Sequence, residues 1–193
     1  MNSKSKRIII ENYNLIDLLE NVDKSTGGAC VQLHATALGL REIGCDVNVL
    51  VTKSSDQLNS YPYYKITEVF NREKGLRIIR WVYYRIPKFF KIMKINKPDI
   101  IIQQCAGVNT FLYAVMAKIV KAKFVYFIAN DMEVDGRILD KLYKIDRSFS
   151  YYIDYFTSKI IVIIYKIGLL LSDVIICQND YQHSFINKKG YKK

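Results

Sequence analysis

Histidine is almost absent, with His34 and His183 the only two in 193 residues. His34 falls inside a helical pattern six residues past Gly28 and reads as packed against a sheet. His183 has no acid or nucleophile arrangement around it, so neither a Ser-His-Asp nor a Cys-His mechanism can be built. A long apolar run is missing from the start: after the basic stretch Met1 to Arg7 only Ile8 to Ile10 follow. A secretory core needs about 7 to 15 apolar residues, so export is not expected. The four cysteines (Cys30, Cys45, Cys105, Cys177) show no paired metal-like spacing and read as reduced thiols of a cytoplasmic protein. There is no GxGxxG, which argues against a dinucleotide-dependent dehydrogenase, and no repeat or low-complexity tract.

What is present is a globular composition, half of it hydrophobic, in a chain long enough for one sizeable core. Residues 1–193 are therefore read as a single domain. The formal net charge is +11, and its distribution matters more than its total. Arg72 to Lys97 carries nine positive residues and one acid, Glu73, which is +8 of the +11. A local basic stretch of this kind points to an anionic partner: phosphate groups, nucleic acid or anionic lipid.

Apolar and helical periodicities alternate along the chain. Strands are expected at Arg7 to Glu11, Asp46 to Thr52, Ile66 to Phe70, Asp99 to Gln103, Phe124 to Ile128 and Val174 to Gln178. Helices are expected at Ala29 to Ile43, ending at Gly44, and at Lys74 to Asn96, where Pro87 either kinks the helix or begins a second one and Pro98 ends it. Further helices are expected at Val108 to Val120, Ser150 to Ser172 and Asp180 to Lys188. Continuously apolar strands between helices specify a doubly wound, mainly parallel α/β sheet of Rossmann-like type with helices on both faces. Ligands of such sheets lie beyond the carboxyl ends of the strands, which directs attention to the loops after Glu11, Gln103, Ile128 and Gln178.

Five stretches in sequence carry a resemblance: the Gly27-Gly28 loop opening a helix, REIGCDVNVLVT, KPDIIIQQCAG, KFVYFIANDMEVDG and SDVIICQNDYQHSFINKKGY. Together they resemble the N-terminal, acceptor-side domain of family-4 retaining glycosyltransferases of the GT-B architecture, over nearly the whole chain. The resemblance implies a two-domain enzyme in which a C-terminal nucleotide-sugar-binding domain, absent from this chain, completes the site, so that this half alone does not turn over. It implies a nucleoside-diphosphate sugar as donor, no tightly bound cofactor, no metal, and a glycan or lipid-linked acceptor in surface polysaccharide synthesis.

Gly27 and Gly28 allow close backbone approach at a helix N-terminus, a place suited to phosphate, and the resemblance sets them against the donor's phosphates. Their bland reading is a plain turn. Asn130 and Asp131 stand where many members of the family carry a histidine near the reacting sugar. They are the candidate catalytic residues here, with Glu133 and Asp135 as acceptor-binding carboxylates; the three acids read equally as a solvated turn or helix cap. Gln104, Gly107 and Asn109 are candidates to line the acceptor cleft, with Asn179, which reads first as an ordinary helix N-cap. Asp131, Glu133, Asp135 and Gly136 fall at EF-hand-like spacing, but the twelfth position is Leu142 where a bidentate glutamate is required, so no metal site is read.

At 100° per residue Arg77, Arg80, Tyr84, Lys88 and Lys91 share one helical face, with Trp81 near it and Ile79, Val82, Ile86, Phe89 and Met93 opposite. Arg77, Arg80, Trp81, Lys88 and Lys91 are expected to form a membrane-surface patch at the inner face of the cell membrane. The competing reading is a core helix whose solvated face is basic. The helix from Tyr151 to Leu171 is very apolar, but Lys159 and Lys166 interrupt it, and spanning is not expected. Tyr152, Lys159, Lys166 and Asp173, seven residues apart, read as a narrow polar strip on it. A free-standing, non-catalytic module that binds a glycan, a partner glycosyltransferase subunit or an anionic membrane is the alternative to the enzyme half. Nucleic-acid binding ranks last, because no recognised motif accompanies the charge.

Overall fold

A computed structural model describes residues 5–20, 27–52, 61–70, 81–135, 137 and 149–191. Six parallel strands lie between helices in a Rossmann-like α/β fold: β1 (Arg7–Glu11), β2 (Asp46–Val51), β3 (Lys65–Glu68), β4 (Ile100–Gln104), β5 (Lys123–Phe127) and β6 (Val174–Ile176). Their order is β3-β2-β1-β4-β5-β6. The chain winds outward from β1 in one direction and from β4 in the other, the doubly wound order of dinucleotide-binding folds. Ile8, Ile9 and Ile10 are all at most 2% exposed, as a strand covered on both faces must be.

The helices are α1 (Leu15–Leu19), α2 (Gly28–Glu42), α3 (Ile86–Asn96), α4 (Val108–Val120), α5 (Met132–Asp135), α6 (Phe149–Leu171) and α7 (Asp180–Lys188). By contact density the chain forms two compact units. The first is Met1–Ile102 with Ile119–Ala122, and the second is Gln103–Lys118 with Lys123–Lys193.

In the first unit β1 pairs with β2 (Arg7↔Asp46 to Glu11↔Leu50) and with β4 (Ile8↔Ile100 to Ile10↔Ile102), and β2 pairs with β3. The helix expected across the basic segment falls partly outside the described residues, which exclude Arg77 and Arg80 and the side chain of Trp81. Its described part starts as a single π-helical turn, Trp81–Arg85, and becomes α3 at Ile86. Pro87 lies in the first turn of α3, where its missing N–H has no partner to lose. Proline here stands where the π-helical turn passes into α3. Lys88 and Lys91 are exposed while Phe89 and Met93 are buried, which gives α3 the expected amphipathic facing.

In the second unit β5 pairs with β6 (Val125↔Val174 to Phe127↔Ile176). Here β6 is shorter than expected. The Gln178 backbone N–H turns to Gln182 Oε1 (2.8 Å) and its side-chain amide donates to the Ile128 carbonyl (2.8 Å), so the ladder closes through a side chain. Gly168 of α6 faces α4 at backbone distance: a Cβ there would lie 2.7 Å from Phe111 N and 2.8 Å from the Thr110 carbonyl carbon. The polar strip read on α6 is wider and more apolar than its lysines indicate, since Ile160, Ile163, Ile167 and Leu170 are also exposed. Asp173 lies beyond the helix and pairs with Lys118 (3.1 Å) and Lys123 (3.2 Å). Among the described residues no helix is long and apolar enough to cross a membrane.

Candidate functional site

The loops that leave the carboxyl ends of β4, β5 and β6 all belong to the second unit, and one carboxylate ties two of them together. Glu133, at the start of α5, is 6% exposed. Its Oε2 accepts from the Tyr126 hydroxyl (2.7 Å) and the Ala129 N–H (3.1 Å), and its Oε1 from the Ala106 N–H (3.3 Å) and the Asn130 side-chain amide (3.4 Å). A buried carboxylate is tolerated only with such a set of donors. Glu133 thereby fastens the loop after β4 to the turn after β5. Burial, reinforced by Tyr165 and Glu133, pushes the Tyr126 hydroxyl well above its ordinary range, so it remains a donor.

Asp131, two residues earlier, is half-buried and held on one side only. Its Oδ1 accepts from Gln182 Nε2 (2.9 Å) and Asn179 Nδ2 (3.3 Å), while no hydrogen bond from the described residues reaches its other oxygen. Asn179 is the N-cap of α7, its Oδ1 accepting the Gln182 N–H at 2.8 Å, so the cap and the contact with Asp131 use opposite ends of one amide. Gln182 is 1% exposed and escaped the sequence reading as a site residue. The signal was there, since Asn179-x-x-Gln182 has the spacing of a capping box.

Asp135 points elsewhere. Its carboxylate takes the side chain of Arg137 (Nε 2.7 Å) and its backbone N–H (2.9 Å), with the Tyr181 hydroxyl at 3.4 Å. The Arg137 hydrogen bond foremost holds its pKa below the usual carboxylate range. Lys189, also not singled out from sequence, donates from Nζ to the Val134 carbonyl. Burial lowers its pKa, helped by Lys166 and opposed by Asp135.

The loop after β4 is locked by Gln103, whose Nε2 donates to the Gln104 and Cys105 carbonyls (both 2.8 Å). Cys105 sits at φ 74, a left-handed conformation that a residue with a Cβ adopts at a cost. Gln104 is buried, and Gly107 and Asn109 are half-buried at the entry to α4, where the Gly107 carbonyl accepts from Thr110 N–H. The second unit thus forms two adjoining hydrogen-bonded sets, Asn130 with Glu133 and Asp131 with Asn179 and Gln182. Through Ala106 it sets the Gln104 to Asn109 loop beside them.

Gly27 and Gly28 belong to the first unit. Gly27 is the N-cap of α2, at φ −60 and ψ 150, and both glycines are exposed. The Asn12 side-chain amide donates to the Cys30 carbonyl (3.0 Å) and so steadies this first turn. A Cβ at either glycine would meet nothing within 4 Å. Neither the backbone conformation of Gly27 nor packing inside the protein requires a glycine here. His34 bonds through Nδ1 to the hydroxyl of buried Tyr64 (2.6 Å), and burial lowers its pKa, as suits a packed histidine. His183 lies on the exposed side of α7 beside Asn187. Among the described residues no three of His, Cys, Asp or Glu are grouped to hold a metal ion.

No protein-family model matches the chain, and no curated protein matches it in sequence. Solved structures do resemble it. One is a UDP-GlcNAc 2-epimerase from Methanocaldococcus jannaschii, at 14% identity and a TM-score of 0.50, the match covering 97% of this chain and 43% of the epimerase. The likeness is one of fold, a GT-B-like Rossmann arrangement, and the chain spans less than half the length of that enzyme.

Proposed function

We propose that the chain is the acceptor-side half of a glycosyltransferase that moves a sugar from a nucleoside-diphosphate sugar to a glycan or lipid-linked acceptor in surface polysaccharide synthesis. One observation supports the reading: Asp131, just past the carboxyl end of β5, is held through one oxygen by Gln182 and Asn179, and its other oxygen accepts no hydrogen bond from the described residues. That is the arrangement required of a carboxylate that orients an acceptor hydroxyl and receives its proton. The hydroxyl oxygen then forms the new bond to the anomeric carbon as the bond to the diphosphate breaks. Charge gathers on the departing diphosphate, which a helix N-terminus is suited to stabilise; for Gly27 and Gly28 we propose contact with the donor's phosphates. Asn130 is proposed to assist at the acceptor, together with Gly107 and Asn109. Glu133 and Gln182 are positioning residues. The exposed lysines Lys88 and Lys91 are proposed to rest on an anionic membrane, where a lipid-linked acceptor would be met.

The test is transfer of labelled sugar from nucleoside-diphosphate sugars to lipid-extracted acceptors by the protein as its source cell makes it. Asp131→Asn should lower kcat about 100- to 10,000-fold with little change in donor KM. An unchanged kcat removes Asp131 from the chemistry, and absence of any transfer removes the reading. The structural likeness to a UDP-GlcNAc 2-epimerase favours a second reading, epimerisation of the nucleotide sugar itself. It is distinguished by an isomerised sugar that forms without acceptor.

A further inference from the structure

We infer that the first unit carries a second anion site, at the amino ends of β1 and β4, for a phosphoryl-bearing ligand with two or more negative charges. A pocket of about 400 Å³ opens there, lined by Arg7, Lys94, Lys97 and Lys121 with a single acid, Asp99. Its size lies in the range of about 300–1,000 Å³ usual for small-molecule sites. Asp99 is already engaged: its Oδ2 accepts the Arg7 backbone N–H at 2.8 Å and lies 3.5 Å from Arg7 Nε. The three lysine ammoniums have no carboxylate partner among the described residues. Met93 and Ile119, the latter half-exposed, add an apolar margin.

The backbone supplies an independent observation. Lys97 (φ 43) and Lys121 (φ 60) follow α3 and α4 in the left-handed conformation, which glycine adopts freely and residues with a Cβ do not. After α2 and α7 the same conformation is given to glycines, Gly44 (φ 85) and Gly190 (φ 76). Lysine replaces the easier residue at two places, and both line one pocket. Carbonyls at the ends of two helices contribute partial negative charge there, so the attraction for an anion comes from the side chains. A lipid headgroup and a soluble phosphate compound present the same chemistry to such a pocket.

The deciding variant is the double substitution Lys97→Gly with Lys121→Gly. Glycine suits both φ values, so the fold should stand and only the charge is lost. Inorganic pyrophosphate is titrated calorimetrically at low salt into the intact protein, the double variant and Gly28→Val. In parallel, each protein is sedimented with phosphatidylcholine vesicles with and without phosphatidylglycerol. The double variant should lose about tenfold or more in affinity at this site, and Gly28→Val, which alters the loop proposed for the donor's phosphates, removes any pyrophosphate binding there, so that the two sites are told apart. Pyrophosphate binding without vesicle binding identifies a soluble ligand, and vesicle binding alone a headgroup. The site is overturned if neither probe binds, if the double variant binds as the parent does, or if its only defect is a lower Tm, the sign of a mere helix cap.

Discussion

Asp173 and Phe124 hold each other by two hydrogen bonds: Asp173 N–H donates to the Phe124 carbonyl (2.8 Å), and Phe124 N–H donates to Asp173 Oδ2 (2.9 Å). Asp99 and Arg7 repeat the pair at 2.8 Å for both bonds. An aspartate just before a strand thus closes the first peptide of its neighbour, and this is the physical content of the PDIII and SDVII stretches.

Asp173→Ala should cost about 1–3 kcal/mol, chiefly for the orphaned Phe124 N–H, because Lys118 and Lys123 are 48% and 73% exposed and weakly coupled through solvent. Burial alone would raise the pKa of Asp173, but the Phe124 N–H and the two lysines outweigh it and set it low. A folded pKa below the unfolded value of about 3.9 means the contribution is full above that pH and fades as acid titrates the folded group. Urea midpoints of parent and Asp173→Ala should therefore converge in acid. A gap that widens there contradicts the assignment.

Gly168→Ala sets a Cβ 2.7 Å from a backbone nitrogen of α4, which no side-chain rotation relieves. A loss of about 1–3 kcal/mol is expected. Gly39→Ala, inside α2 with nothing within 4 Å, should instead gain about 0.5–1 kcal/mol. Denaturant unfolding of the two variants reads the contrast directly.

Tyr126→Phe removes the donor of one buried hydrogen bond, and Glu133→Gln replaces its charged acceptor with a neutral amide. Each should destabilise by about 1–3 kcal/mol. The double variant should lose clearly less than the sum, because the second change then alters a group already without its partner. Strict additivity in a thermal or urea series would show that the pair is not coupled.

Gly28→Val leaves the fold intact, since its Cβ enters open space, yet it blocks the approach proposed for the donor's phosphates. The donor KM of the complete enzyme should rise while the Tm holds. A normal KM places the phosphates elsewhere.

Lys88→Glu with Lys91→Glu reverses charge on the exposed side of α3 without touching buried Phe89 or Met93. Sedimentation with anionic vesicles should fall markedly, at about 1 kcal/mol for each basic residue near the surface. Undiminished sedimentation removes α3 as the membrane face.

Strands and long helices were legible because burial leaves a periodic mark: β1, α4 and α7 lie where the pattern sets them. Helices α1 and α5 were not, since five and four residues are too few to show a period. The site was half legible. Asp131, Glu133 and Asp135 are equivalent in sequence, three acids at alternate positions, and only the fold separates them. Among the described residues one is bonded through a single oxygen, one is buried under Tyr126, and one is neutralised by Arg137. The Asp131–Gln182 contact joins residues 51 apart, and a single sequence holds no trace of it.

The makeup of the first unit sets a timetable for synthesis. Nearly all of it is complete by Ile102, but Ile119–Ala122 belongs to it as well, and Ala122 is 5% exposed. On the ribosome, where earlier segments gather first, the first unit is not complete until Ala122 has been made. A nascent chain arrested between these points would hold the first unit without its last segment, and that interval is the one in which a chaperone is most useful to it.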